Sequence, residues 1–167
     1  SFNTSVGASS LYENTTGTSN IALGADVLTD NTTGNYNVAI GRFALTSNVS
    51  GYSNVAIGVR ALYSPVKTKN TVAIGDSSLF NNTTGFENTA IGSKTLFSNN
   101  TGFSNTAIGI NSQTSGTSGY KNSSLGSLSL EKNIDGNSNC AIGYAALNQN
   151  TSGGLNSAIG QEALKSN

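Results

Sequence analysis

The residues that most readily carry chemistry are few and widely spaced. Histidine is absent, which excludes histidine-based triads and histidine metal sites. The one cysteine, Cys140, stands where other repeats carry Thr or Val, on the face expected to line the interior. There it reads as a small buried hydrophobe rather than a nucleophile. Eight carboxylates are scattered along the chain. Glu131 and Asp135 flank one turn and read either as a cation site or as solvated loop charges. The glycines serve bends and form no phosphate loop, and glycine–aspartate calcium repeats are absent. Asn-X-Thr/Ser sequons at Asn14, Asn31, Asn82 and Asn150 are explained by turn chemistry. No catalytic residue, metal ligand or cofactor is expected, and the chain reads as a non-enzyme.

Recognition residues are a second possibility. Pro65, Val66, Lys67 and Lys69 replace a neutral turn by a proline and two lysines, with Arg60 nearby in sequence. This is a candidate receptor contact for an acidic glycan; drift on an exposed turn is the alternative. Tyr63, Phe80 and Phe97 form one aromatic column, and Phe86, Phe103 and Tyr120 another. Such columns either bind sugar faces or pack.

These residues are positioned by an unbroken repeat. Gly7, Gly24, Gly41, Gly58, Gly75, Gly92, Gly109, Gly126, Gly143 and Gly160 each follow the last by 17 residues. The consensus is N-T-A-I-G-x-x-A-L-x-x-N-T-T-G-x-x. An aliphatic residue precedes every such glycine, as at Ile40, Ile57, Ile74, Ile91, Ile108, Ile142 and Ile159. Four residues after the glycine stands a leucine, as at Leu45, Leu62, Leu79 and Leu96, with Gln113 the exception. Residues 1–167 therefore form a single repeat domain. A start inside a copy, without an initiator methionine, points to a segment of a longer fibrous chain.

Such fixed periods mean stacked supersecondary units. Each copy offers two strand candidates, N-T-A-I and the stretch around A-L, separated by a bend glycine. Asn-Thr-Thr-Gly then fits a type I turn. A short helical turn at A-L is also compatible with the spacing. The expected fold is all-β: a parallel β-solenoid, or β-roll, of ten 17-residue coils. Ten coils at ~4.7 Å span roughly 47 Å. Asparagines seventeen apart become columns able to hydrogen-bond along the stack.

Side chains alternate faces along a strand. The isoleucines and leucines are expected to form the interior, with the alanines on the other face, where they admit close approach of a partner chain. Self-association follows from this placement. The alternative is a flattened monomeric solenoid with its alanines inside.

The NTAIG…AL…NTTG signature, clearest at Asn88–Gly102, Asn105–Gly109, Asn139–Leu147 and Asn156–Leu164, resembles head repeats of trimeric autotransporter adhesins. It is also similar to repeats of bacteriophage tail-fibre proteins. The resemblance covers the whole chain, although the adhesin head repeat is shorter. It implies a left-handed roll, a parallel homotrimer, and a structural or adhesive role on a virion tail fibre or bacterial outer surface, with a host glycan or protein as target.

Bulk properties narrow the alternatives. Only 10% of residues are charged and the net charge is zero. No basic face suggests nucleic acid, and no apolar run approaches the ~18 residues of a membrane span. An ice-binding solenoid is the alternative function, suggested by Thr15–Thr16, Thr32–Thr33 and Thr83–Thr84. The Thr16 column is interrupted by Lys67 and Asp135. A polysaccharide-cleaving tailspike would need an acid pair from the scattered carboxylates.

Overall fold

The computed structural model describes residues 2–64 and 67–166. Pro65 and Val66 of the candidate receptor contact lie outside the described residues. Ten strands follow one another at the same point of each repeat: β1 Thr4–Val6, β2 Ile21–Leu23, β3 Val38–Ile40, β4 Val55–Ile57, β5 Val72–Ile74, β6 Thr89–Ile91, β7 Thr106–Ile108, β8 Ser123–Leu125, β9 Cys140–Ile142 and β10 Ser157–Ile159. They form one parallel sheet in chain order. Ile40 pairs with Ile57, and Ile57 with Ile74. The fold is the expected parallel β-solenoid.

Backbone pairing continues around each coil beyond the strands. The Leu45 N–H donates to Ala61 O at 3.0 Å in the next coil, and the Gly58 N–H to Ile40 O at 2.8 Å in the preceding one. Both neighbours therefore satisfy groups that a lone coil would leave unpaired.

The expected second strand at A-L is absent; that stretch is a series of turns. The core leucines lie in the left-handed region, with Leu45 at φ 50° and Leu62 at φ 52°. So does the residue two before each leucine, such as Arg60 at φ 55°. These reversals carry the chain round a corner while its N–H and C=O groups remain paired with neighbouring coils. Left-handed backbone costs an L-residue roughly 1–2 kcal/mol, so stacking must impose it. The bend glycine has a firmer requirement. Gly58 sits at φ +131°, and a Cβ there would lie 2.7 Å from the carbonyl carbon and oxygen of Gly75. Gly41, Gly75, Gly92 and Gly109 share this conformation.

The interior is filled differently from the expectation. Leu45, Leu62, Leu79 and Leu96 are buried, as expected. The isoleucines are not interior. Ala39, Ala56, Ala73, Ala90 and Ala107 point inward and are fully buried. Ile40, Ile57, Ile74, Ile91 and Ile108 turn outward and are half-buried. Ile142 and Ile159, nearer the end, are 37% and 74% exposed. The physical reason is thickness. The leucine fills the space across from the strand, which leaves room only for an alanine on the strand's inner face. The buried core accordingly consists chiefly of alanines and leucines.

Two outcomes test this packing. Leu62→Ala should cost about 2–5 kcal/mol in chemical denaturation, as cavity-forming changes in cores do. The exposed Lys94 has φ 54°. Lys94→Gly should be neutral or stabilising by up to about 1 kcal/mol, whereas Lys94→Val should destabilise.

Candidate functional site: side-chain columns and irregular coils

Stacking in register turns each repeated side chain into a column along the rod. The first column is the asparagine that precedes every strand but β5. Asn37 is fully buried. Its Nδ2 donates to Asn20 Oδ1 at 3.1 Å and to Gly51 O at 2.9 Å. Its Oδ1 accepts from the backbone N–H and Nδ2 of Asn54, at 3.1 and 3.0 Å. The pattern recurs from Asn105 through Asn156. The second column is the turn asparagine. Asn31 Nδ2 donates to Asn14 Oδ1 at 2.8 Å, Asn48 to Asn31 at 2.7 Å, Asn99 to Asn82 at 2.8 Å and Asn150 to Asn133 at 2.8 Å. This column explains the turn glycine. A Cβ on Gly34 would lie 2.3 Å from Asn31 Oδ1 and 2.5 Å from Gly51 O.

The first irregular coil contains a coupled replacement that pattern reading missed. Thr71 takes the place of a ladder asparagine and Thr68 that of a turn glycine. An asparagine at residue 71 would donate to Gly85 O, as Asn54 Nδ2 donates to Thr68 O at 3.1 Å. Instead the Thr68 hydroxyl donates to Gly85 O and pairs with Thr71 Oγ1 at 3.0 Å. The signal lay in the sequence as two departures three residues apart.

The proposed contact residues separate on inspection. Lys67 is exposed. Lys69 is half-buried, with its ammonium 5.5 Å from the centre of the Phe86 ring. Lys69 thus continues an aromatic column, since Phe86 stacks on Phe103 at 5.2 Å and Phe103 on Tyr120 at 4.9 Å. The other column runs Tyr63–Phe80–Phe97 at 5.1 and 5.2 Å, with Phe43 edge-on to Tyr63. Rings stacked within 9° of parallel cover one another's faces. A sugar needs an open face, so these columns are packing elements along their length.

Other candidates are dispersed or engaged. Cys140 is half-buried on the outer side of β9, between Ser123 and Ser157. This corrects the expectation of an interior site, because it follows the outward isoleucine face. Glu131 Oε2 accepts from Asn148 Nδ2 at 2.8 Å, while Asp135 is exposed. Among the described residues, no three His, Cys, Asp or Glu side chains cluster closely enough to hold a metal ion. The one ion pair among the described residues joins Lys165 to Glu162 at 2.7 Å, and that carboxylate holds the ammonium above the ordinary lysine value. The hydroxyls of Thr15 and Thr32 donate along the stack, to Thr32 O and Val49 O.

Comparison of the chain with protein-family profiles, curated proteins and solved structures returned no match. The surface itself then carries the functional argument. One feature of it is the outer face of the sheet. Two columns run along it: Ile21, Val38, Val55 and Val72 in one, which continues as Thr89, Thr106, Ser123, Cys140 and Ser157, and Leu23, Ile40, Ile57 and Ile74 in the other, which stays aliphatic to Ile159. Neither contains a charged residue in any coil.

The buried ladder makes a direct prediction. Asn37→Ala leaves the buried Asn54 backbone N–H without its acceptor and removes one of the bonds made by Asn54 Nδ2, Gly51 O and Asn20 Oδ1. It should cost about 2–5 kcal/mol, measured by denaturant unfolding. Truncating the exposed Asn81 in the same way should change stability by less than about 0.5 kcal/mol.

Proposed function

We propose that the chain is a structural and adhesive segment of a trimeric surface fibre, on a phage tail or a bacterial cell surface. The observation that carries this reading is the uncharged, half-exposed outer face of the ten-stranded sheet. Water tolerates scattered surface hydrophobes, but an aliphatic column running from Val6 to Ile159 marks an interaction surface. Its period supports a second copy of the chain as the partner. The groups repeat once per coil, at about 4.7 Å, and another copy of the chain presents the same rise along the same length. Three-fold order rests on the resemblance of the NTAIG…AL…NTTG repeat to adhesin heads and tail fibres.

A rod of stacked coils suits reach and attachment. Its columns are committed to hydrogen bonds and ring stacking, which supports a structural reading over an enzymatic one. Attachment falls to the irregular turn, where Pro65, Val66 and Lys67 replace the neutral Asn-Thr-Thr-Gly sequence, Lys67 is exposed and Lys69 lies over Phe86. An acidic host glycan is the ligand class that these lysines fit. The ice-binding alternative is weakened by threonine hydroxyls already bonded along the stack.

Light scattering tests the assembly. Three chains of 17.0 kDa are expected, and Ile57→Asp with Ile74→Asp should release monomers that retain β circular dichroism. A monomeric wild-type chain at micromolar concentration would overturn the trimer. A glycan array tests the turn. Lys67→Ala with Lys69→Ala should lose acidic-glycan binding at least tenfold; unchanged binding removes that site.

A further inference from the structure

The seventh coil breaks two columns at once, and the breaks face each other. Gln113 replaces the core leucine and Gly116 replaces the turn asparagine. Gln113 is fully buried, and both its Nε2 and its Oε1 lack a hydrogen-bond partner. Asn99 Oδ1, in the coil below, is also buried and unpartnered. In regular coils that oxygen accepts from the next turn asparagine, as Asn31 Oδ1 accepts from Asn48. A Cβ built on Gly116 would lie 3.4 Å from both Cγ and Nε2 of Gln113. The glutamine therefore runs beside the place that an asparagine side chain fills elsewhere.

We propose that this coil holds a buried water molecule between Gln113 and Asn99. Space and chemistry both require a small occupant. Exchanging leucine and asparagine for glutamine and glycine leaves the interior about three non-hydrogen atoms short, room enough for a water. Glutamine spans part of the gap but does not close it, since neither amide atom reaches a partner. The three orphaned atoms are two acceptor oxygens and one amide nitrogen, which donates. A water donates to Asn99 Oδ1 and Gln113 Oε1 and accepts from Gln113 Nε2, which is the usual three-bond complement of an interior water. A metal cation satisfies only the oxygens and would face the amide N–H. An apolar occupant satisfies none of the three. Exchanging O and N of the Gln113 amide leaves one donor and one acceptor, so the assignment does not depend on that choice.

The surroundings are polar enough to retain it. Ser112 Oγ pairs with Ser124 Oγ at 2.7 Å and with Ser129 Oγ at 3.0 Å. This hydroxyl cluster lies where the alanine–leucine core is interrupted, between Ala107 and Leu130. The water completes a polar joint that divides two apolar blocks of the rod.

A crystal structure of the whole chain at better than about 1.8 Å tests the site, alongside one of the double variant Gln113→Leu, Gly116→Asn. The wild type should show a density peak within about 3 Å of all three atoms. In the variant, which restores the repeat, the peak should be replaced by the introduced asparagine amide, bonded to Asn99. Water–amide cross-relaxation to the Gln113 side-chain NH2 should be present in the wild type in solution. A dry gap, a direct Gln113–Asn99 hydrogen bond, or a peak with metal-like distances to oxygens alone would each overturn the proposal.

Discussion

An interior asparagine brings two donors and an acceptor into a place without water, and here the copies in the coils on either side, together with a turn-glycine carbonyl, satisfy them. Leaving such a group unmade costs about 1–3 kcal/mol, so the ladder penalises any slip in register. A coil with one residue more or less would present a different side chain to Asn20 or Asn54. The unbroken 17-residue spacing follows from that penalty. The turn glycines answer to the second column, because a Cβ on Gly34 would strike the Asn31 amide.

The ladder also makes the left-handed backbone tolerable. Leu45 and Leu62 accept conformations that a leucine avoids in isolation. They do so because every coil is held against two neighbours around its circumference. Such strain persists only where the surroundings over-determine it. With the corners turned this tightly, the cross-section admits little more than one large apolar side chain beside the two asparagines of each coil. Leucine takes that place, alanine faces it, and isoleucine is left outside. The apolar outer face is thus a consequence of a thin interior, and it supplies the surface on which self-association is argued.

The period, the parallel stack, the leucine interior and the asparagine columns were all legible in the sequence. Identical residues at a fixed spacing state them directly. The side on which Ile57 and Ala56 lie was not. Alternation gives two faces but does not say which is inner; that depends on the thickness of the coil. The A-L strand failed for a related reason. Nothing in leucine's own preferences announces the left-handed φ of Leu45, which is imposed by stacking on both sides. Within the candidate sites, Lys67 on the surface was legible, but the ring beneath the Lys69 ammonium was not, because Phe86 belongs to the next coil. The Thr68–Thr71 replacement and the Gln113–Gly116 pair were visible as exceptions. Their coupling required knowing which atoms meet.

The most direct test of the ladder is hydrogen exchange of asparagine side-chain amides, resolved by NMR in the intact chain. Exposed side-chain NH2 groups exchange freely with solvent, whereas the Nδ2 protons of Asn37 and Asn122, bonded to the coil below and to Gly51 or Gly136, should exchange as slowly as the backbone amides of β3 and β8. Exchange of Asn37 and Asn122 as fast as that of the exposed Asn81 would contradict the account.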